Sequence, residues 1–109
     1  NATPTTLETI AITASRTYII ESRVYARRTG GTAGTADDGA AYVIRSSYTT
    51  KSATETLIGT VQADYTAEDV AGYNATHVIS GANVLTQVTG VADTNITWHV
   101  TSTISWVGT

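Results

Sequence analysis

Residues 95–106 read Asn95-Ile96-Thr97-Trp98-His99-Val100-Thr101-Ser102-Thr103-Ile104-Ser105-Trp106. Ile96, Trp98, Val100, Ile104 and Trp106 are in phase at a period of two, and Thr97, His99, Thr101 and Thr103 fall between them. That period places successive side chains on opposite faces of a pleated strand. The run is therefore a strand with an apolar face and a hydroxyl-rich face, and Trp98 and Trp106 are expected in a core.

Working back along the chain, the same alternation recurs between turn signals. Strands are expected near residues 7–13, 17–28, 40–50, 55–65, 73–80, 83–89 and 95–106. Thr, Val, Ile and Tyr fill these runs, and β-branched and aromatic side chains suit a half-buried pleated surface. About seven strands at short spacing predict an all-β, antiparallel β-sandwich of Greek-key or jelly-roll type. Ala14-Ser15-Arg16 and Ser80-Gly81-Ala82-Asn83 read as tight hairpins. Thr66-Ala67-Glu68-Asp69 reads as one helical turn capped by Thr66. Residues 1–6, with Thr3-Pro4-Thr5-Thr6, read as the end of a linker from an upstream segment, and residues 7–109 as one domain.

Face assignments follow from the period. Tyr18, Ile20, Val24 and Ala26 point inward in the second strand, and Tyr42, Ile44 and Tyr48 in the third. Leu57, Val61, Ala63 and Tyr65 do so in the fourth. The outward set Glu21, Arg23, Tyr25 and Arg27, with Arg45 on the neighbouring strand, mixes charge with an aromatic ring. Glu21 and Arg45 suit a cross-strand ion pair. The same face also suits an intersubunit or ligand-facing surface.

Composition removes several classes. With 41% hydrophobic and 14% charged residues, the chain has the apolar content that disordered segments lack. A net charge of −3 with six basic residues opposes nucleic-acid binding, which draws on Lys and Arg to neutralise phosphates. Cysteine is absent, so there is no disulfide framework and no thiolate site. No apolar run approaches the ~20 residues of a membrane helix.

Catalytic constellations are equally sparse. No G-x-S-x-G elbow occurs, and Asp64, Glu68 and Asp69 form no arranged acid pair for glycoside cleavage. His77 is in phase with Tyr73, Ala75 and Ile79, and is expected as a buried neutral imidazole with one hydrogen bond. His99 lacks the further ligands of a zinc site. No metal or other cofactor is expected, and no enzyme activity.

The segment Arg27-Arg28-Thr29-Gly30-Gly31 through Asp37-Asp38-Gly39 is a long Gly- and Thr-rich connection bracketed by two Arg and two Asp. Arg27 and Arg28 against Asp37 and Asp38 are expected to clamp its base through charge-assisted hydrogen bonds. Two adjacent carboxylates without ordered ligand spacing are a weak calcium signal.

The motifs VYARRTGGTAGTADDGAAYVIR at 24–45, YTAEDVAGYNATHVISGANVLTQVTG at 65–90 and NITWHV at 95–100 resemble the C-terminal β-sandwich domain of tail fibre and tailspike proteins of tailed bacteriophages. The resemblance spans nearly the whole chain. It implies a virion protein made in the bacterial cytoplasm, a homotrimer at a fibre tip, and attachment to host capsule or lipopolysaccharide. It also implies a threefold contact as the use of the Glu21, Arg23, Tyr25, Arg27 and Arg45 face. Arg28, Thr32, Thr35 and Tyr73 are then the expected glycan contacts, offering a guanidinium, hydroxyls and an aromatic ring. The alternative from a different class is a monomeric carbohydrate-binding or adhesin module of a bacterial surface protein.

Overall fold

A computed structural model describes all 109 residues. It contains seven strands and no helix: β1 (Thr5–Ala11), β2 (Arg16–Gly31), β3 (Gly39–Lys51), β4 (Thr54–Glu68), β5 (Asn74–Ser80), β6 (Asn83–Thr89) and β7 (Thr94–Gly108). They form two antiparallel sheets, one ordered β1-β6-β5 and the other β4-β3-β2-β7. Spatially β7 returns beside β2 after the β2-β3-β4 meander, the order of a Greek key, with the return made by way of the other sheet.

The two sheets differ in length, and this asymmetry shapes the surface. Strands of the three-stranded sheet have seven residues each, against 13 to 16 in the four-stranded sheet. A strand rises about 3.4 Å per residue, so the long strands account for the 51 × 21 × 19 Å shape. The short sheet cannot cover all of the long one. Trp106, expected in the core, is consequently 53% exposed, and Ile104 is also exposed. Their phase is inward, but no strand of the short sheet covers them, and Trp106 has the Arg16 guanidinium stacked on its ring instead.

The core has two apolar clusters. Ile10, Ile12, Tyr18, Ile20, Tyr48 and Val84 form one, and Val24, Tyr42, Ile44, Ala75 and Val88 the other. Between them runs a polar seam. Ser22 Oγ lies 2.7 Å from His77 Nε2 and 2.7 Å from Ser102 Oγ, Ser46 Oγ lies 2.7 Å from His77 Nδ1, and Tyr48 donates to Ser46 at 2.8 Å. Ser102 donates to Glu8 Oε1 at 2.5 Å.

Hydroxyl protons are limited to one per side chain, which orients the whole seam. Glu8 accepts only, so Ser102 donates to it and accepts from Ser22. Ser22 must then accept from His77 Nε2–H, leaving Nδ1 to accept from Ser46, which accepts from Tyr48. His77 is the neutral Nε2–H tautomer with two hydrogen bonds, where the sequence predicts one. Burial pushes its pKa down to about 4.

Several local expectations change for physical reasons. Ala14-Ser15-Arg16 is a corner between sheets rather than a hairpin, because β1 pairs with β6 and β2 with β3 and β7. The β3–β4 connection is a two-residue hairpin loop instead, with Ser52 and Ala53 at φ 50° and 64°, the double positive φ of a type I′ turn. Thr66-Ala67-Glu68 continues β4, paired with Tyr42, Ala41 and Ala40, so no helical turn forms. A register shift between Val43 and Ile44 inserts Asp64 and rotates Tyr65 to the outer face. β1 begins at Thr5, ahead of the expected start at residue 7.

Candidate functional site at the loop end and outer sheet face

The connection from Gly31 to Asp38 is ordered by its own backbone. Thr32 N–H and Ala33 N–H both donate to Asp93 O, at 2.9 and 3.1 Å. Gly31 adopts φ 109°, and a Cβ there would sit 2.3 Å from that same carbonyl. Only glycine lets the two turns approach so closely.

The expected charge clamp is half realised. Arg27 Nη2 meets Asp37 Oδ1 at 2.9 Å, but the pair is 67% and 72% exposed, a setting in which ion pairs contribute little. Arg28 does not pair with Asp38. Its Nε donates to Ala33 O at 3.0 Å and its Nη2 to Gly31 O at 2.9 Å. Asp38 Oδ2 instead accepts from Thr35 N–H at 2.9 Å, and Asp38 O accepts from Arg28 N–H at 2.8 Å. Asp69, absent from the sequence-based set, closes the base: its Oδ2 accepts Gly39 N–H at 2.8 Å and its own N–H donates to Gly39 O at 3.0 Å. A lone Asp after a strand gave no signal for this role.

These contacts predict unequal effects at adjacent positions. Asp38→Ala, at a half-buried position in an otherwise exposed turn, removes the acceptor of the Thr35 N–H and is expected to cost about 1 kcal/mol, whereas Asp37→Ala is expected to stay within about 0.5 kcal/mol. Urea unfolding of both variants at one protein concentration checks the order. Equal losses would contradict this account.

Of the expected glycan contacts, Thr32 and Thr35 are exposed at the loop surface, and Arg28 is half-buried with three donors already directed at the loop. Tyr73 requires correction. It is 2% exposed, packs edge-on against Trp98 with centroids 6.1 Å apart, and forms the floor beneath the loop. The turn before β5, closed by Tyr73 N–H donating to Val70 O at 3.1 Å, folds the ring inward against Trp98. Its hydroxyl has no hydrogen-bond partner, and burial, then the Asp38 carboxylate, raises its pKa.

The outer face of the four-stranded sheet is built by register. Across β4, β3, β2 and β7 the rows are Thr56, Thr49, Thr17, Val107; then Ile58, Ser47, Ile19, Ser105; then Gln62, Arg45, Glu21, Thr103; then Tyr65, Val43, Arg23, Thr101; then Ala67, Ala41, Tyr25, His99. Glu21 and Arg45 are register partners, yet the ion pairs are Arg45 with Asp64 at 3.0 Å and Arg23 with Glu21 at 3.7 Å. The bulge that turned Tyr65 outward also brings Asp64 within reach of Arg45. Tyr25 stacks on His99 with centroids 6.2 Å apart and planes 23° apart. Ile19, Tyr25, Ile58, Tyr65 and Val107 are all exposed on this one face.

The Ser22–His77 contact does not have the geometry of a nucleophile and its base. Both residues are buried, so no substrate reaches Ser22, and the carboxylate of Glu8 is linked through Ser102 and Ser22 rather than to the far nitrogen of the ring, where a triad places it. No group of three His, Asp or Glu side chains is placed to hold a metal ion. No helix is long and apolar enough to cross a membrane. No family model, no curated protein and no solved structure matches the chain.

Proposed function

We propose that this chain is the distal domain of a tailed-bacteriophage tail fibre or tailspike, that it assembles as a homotrimer, and that it contributes to binding host-surface polysaccharide without cleaving it. The observation that carries this reading is the outer face of the long sheet. Five large apolar side chains are exposed there among the ion pairs Arg23–Glu21 and Arg45–Asp64, with Arg27 at the loop end of the face paired to Asp37 of the β2–β3 connection. Four strands about 4.8 Å apart over the length of β3 present about 800 Å², the share one partner contributes to a standard interface. Closed cyclic symmetry covers such a face without leaving a further copy of it open.

Attachment is tested on cells. The purified chain is expected to be retained by capsulated host bacteria and to release no new reducing ends from isolated capsule or lipopolysaccharide. Oligosaccharide release by the chain alone would overturn the non-catalytic reading. Absence of retention would remove receptor binding and leave assembly as the domain's role. A monomer that still binds neutral and acidic glycans would favour the carbohydrate-binding or adhesin module instead.

A further inference from the structure

β1 passes diagonally across the inner face of the long sheet. At Glu8 it lies over β7, where Ser102 donates to the carboxylate at 2.5 Å. By Ile10 and Ile12 it has crossed toward β2 and β3, packing on Tyr18, Ile20 and Tyr48. Packed sheets cross at angles up to about 30°, which accounts for the divergence. Beyond Ser102 the inner face of β7 is left with no strand above it. Ile104 and Trp106, both at the inward phase, are 44% and 53% exposed there.

The edge of β1 that borders this gap is free, because β1 pairs with β6 alone. Ile12 N–H donates to Ala82 O at 2.9 Å. Bonded and non-bonded pairs alternate along an antiparallel ladder, so Ile10 exchanges its bonds with Val84, and Thr9 and Ala11 turn their N–H and C=O groups to the gap. Thr13, next in that series, shows the direction: its N–H donates to the Tyr18 hydroxyl at 2.9 Å. Thr9 and Ala11 are exposed. The register runs unbroken from Glu8 to Ala11, and residues 9–13 include no charge and no proline. Charges, prolines and bulges are the devices that keep sheet edges from pairing. β4, at the far edge of the long sheet, has two register shifts by contrast.

We propose that this gap is a strand-addition site: it takes an extended segment of a partner protein antiparallel to β1, with apolar side chains at alternate positions on Ile104 and Trp106 and an acidic side chain on Arg16. What borders the gap sets this chemistry. Main-chain groups in line call for another strand, which gains four hydrogen bonds from Thr9 and Ala11. Alternate side chains of a strand point to one face, so every second residue of the segment meets the apolar floor. Arg16 closes the far end on that same inner face. Its guanidinium carbon lies 3.6 Å from the centroid of the Trp106 ring, and Nη1 donates to the Tyr18 hydroxyl at 3.4 Å. None of the three ion pairs includes it, and a guanidinium stacked on an indole keeps its other donors for a carboxylate. Because β1 runs toward the corner that precedes Arg16, an antiparallel segment brings its N-terminal flank there. The trimer proposed above uses the outer face and leaves this floor free.

The probe is the peptide acetyl-Glu-Thr-Val-Thr-Val-Thr-amide, added to the isotope-labelled chain and followed by nuclear magnetic resonance. Hydrogen exchange at the Thr9 and Ala11 amides is expected to slow, and the Trp106 indole signal to shift. Ala11→Pro, at an edge position where proline leaves the β1–β6 ladder intact, is expected to weaken binding at least about tenfold, and Trp106→Thr to do the same. Far-ultraviolet dichroism confirms that each variant is folded. Lys in place of the peptide's Glu should weaken binding to wild type, and Arg16→Gln should erase that difference. No slowing at millimolar peptide, or equal affinity for wild type and both Ala11→Pro and Trp106→Thr, would overturn the proposal. Slowed exchange along β7 alone would overturn it in favour of simple extension of the long sheet. Equal binding of the Glu and Lys peptides would remove the acidic assignment. If Ala11→Pro lowers the mass of the chain's own assembly, a second copy fills the gap and the partner assignment falls.

Discussion

Acidification from pH 7 to pH 4 is expected to remove about 3 kcal/mol of folding stability through His77 alone. The imidazole has its usual pKa of 6.5 in the unfolded chain and one lowered to about 4 in the fold, with burial as the cause. Between these values the unfolded state binds more protons, so stability rises with pH across the window and falls as pH drops from 6.5 through 4. At about 1.36 kcal/mol per pKa unit, the shift gives the figure stated. Protonating Nδ1 would also set two donors, His77 and Ser46, against each other at 2.7 Å, which is why the neutral ring fits the seam.

The comparison is with His77→Gln, which offers a donor and an acceptor but does not titrate. At pH 7 that variant is expected to lose about 1–3 kcal/mol, because Gln cannot reach Ser22 and Ser46 together and leaves one unsatisfied. The gap between wild type and variant should close as pH falls to 4, since the other titrating groups are common to both. Chemical denaturation at several pH values and one protein concentration measures it. Parallel pH profiles for the two proteins would show that His77 is not the titrating group.

The second large effect concerns assembly. Light scattering at micromolar concentration is expected to give three times the 11.4 kDa of one chain, and Ile19→Asp with Tyr25→Asp is expected to return a single-chain mass. Both side chains are exposed on the outer face of β2, with no role in the apolar clusters. Charge placed there leaves the subunit folded and desolvates badly in a contact. Thermal unfolding of wild type should shift upward with concentration, and that of the double variant should not. A wild-type mass of one chain would sink the trimer.

The strands were legible because their period is local. All seven expected runs overlap an observed strand, and the inward positions Tyr18, Ile20, Val24, Tyr42, Ile44 and Tyr48 are buried as the alternation predicts. Ser22, Ser46 and His77 were legible in a weaker sense. Each sits at an inward phase among apolar neighbours, which signals a polar group in the core, but the seam joins residues from β1, β2, β3, β5 and β7. No window of sequence contains it. The four expected glycan contacts follow from residue type, and type does not report depth: Tyr73 and Tyr25 look alike in sequence, while one is buried and the other exposed.

By itself, then, the amino-acid sequence determined what depends on near neighbours along the chain: seven strands, their faces, the all-β class, and a loop whose glycines permit its turns. Tertiary structure alone decided which strands pair, because register between β2 and β7, whose paired ends Arg16–Gly108 and Gly31–Thr94 lie 92 and 63 residues apart in the chain, is chosen by packing across the whole sheet rather than by either strand. It also decided coverage. Trp98 and Trp106 share a phase and a strand, yet only Trp98 has Tyr73 packed over it, since a seven-residue strand cannot shield a fifteen-residue one. The same overhang leaves Trp106 beside Arg16 and in contact with solvent. Burial is set by what lies opposite, and that partner comes from elsewhere in the chain.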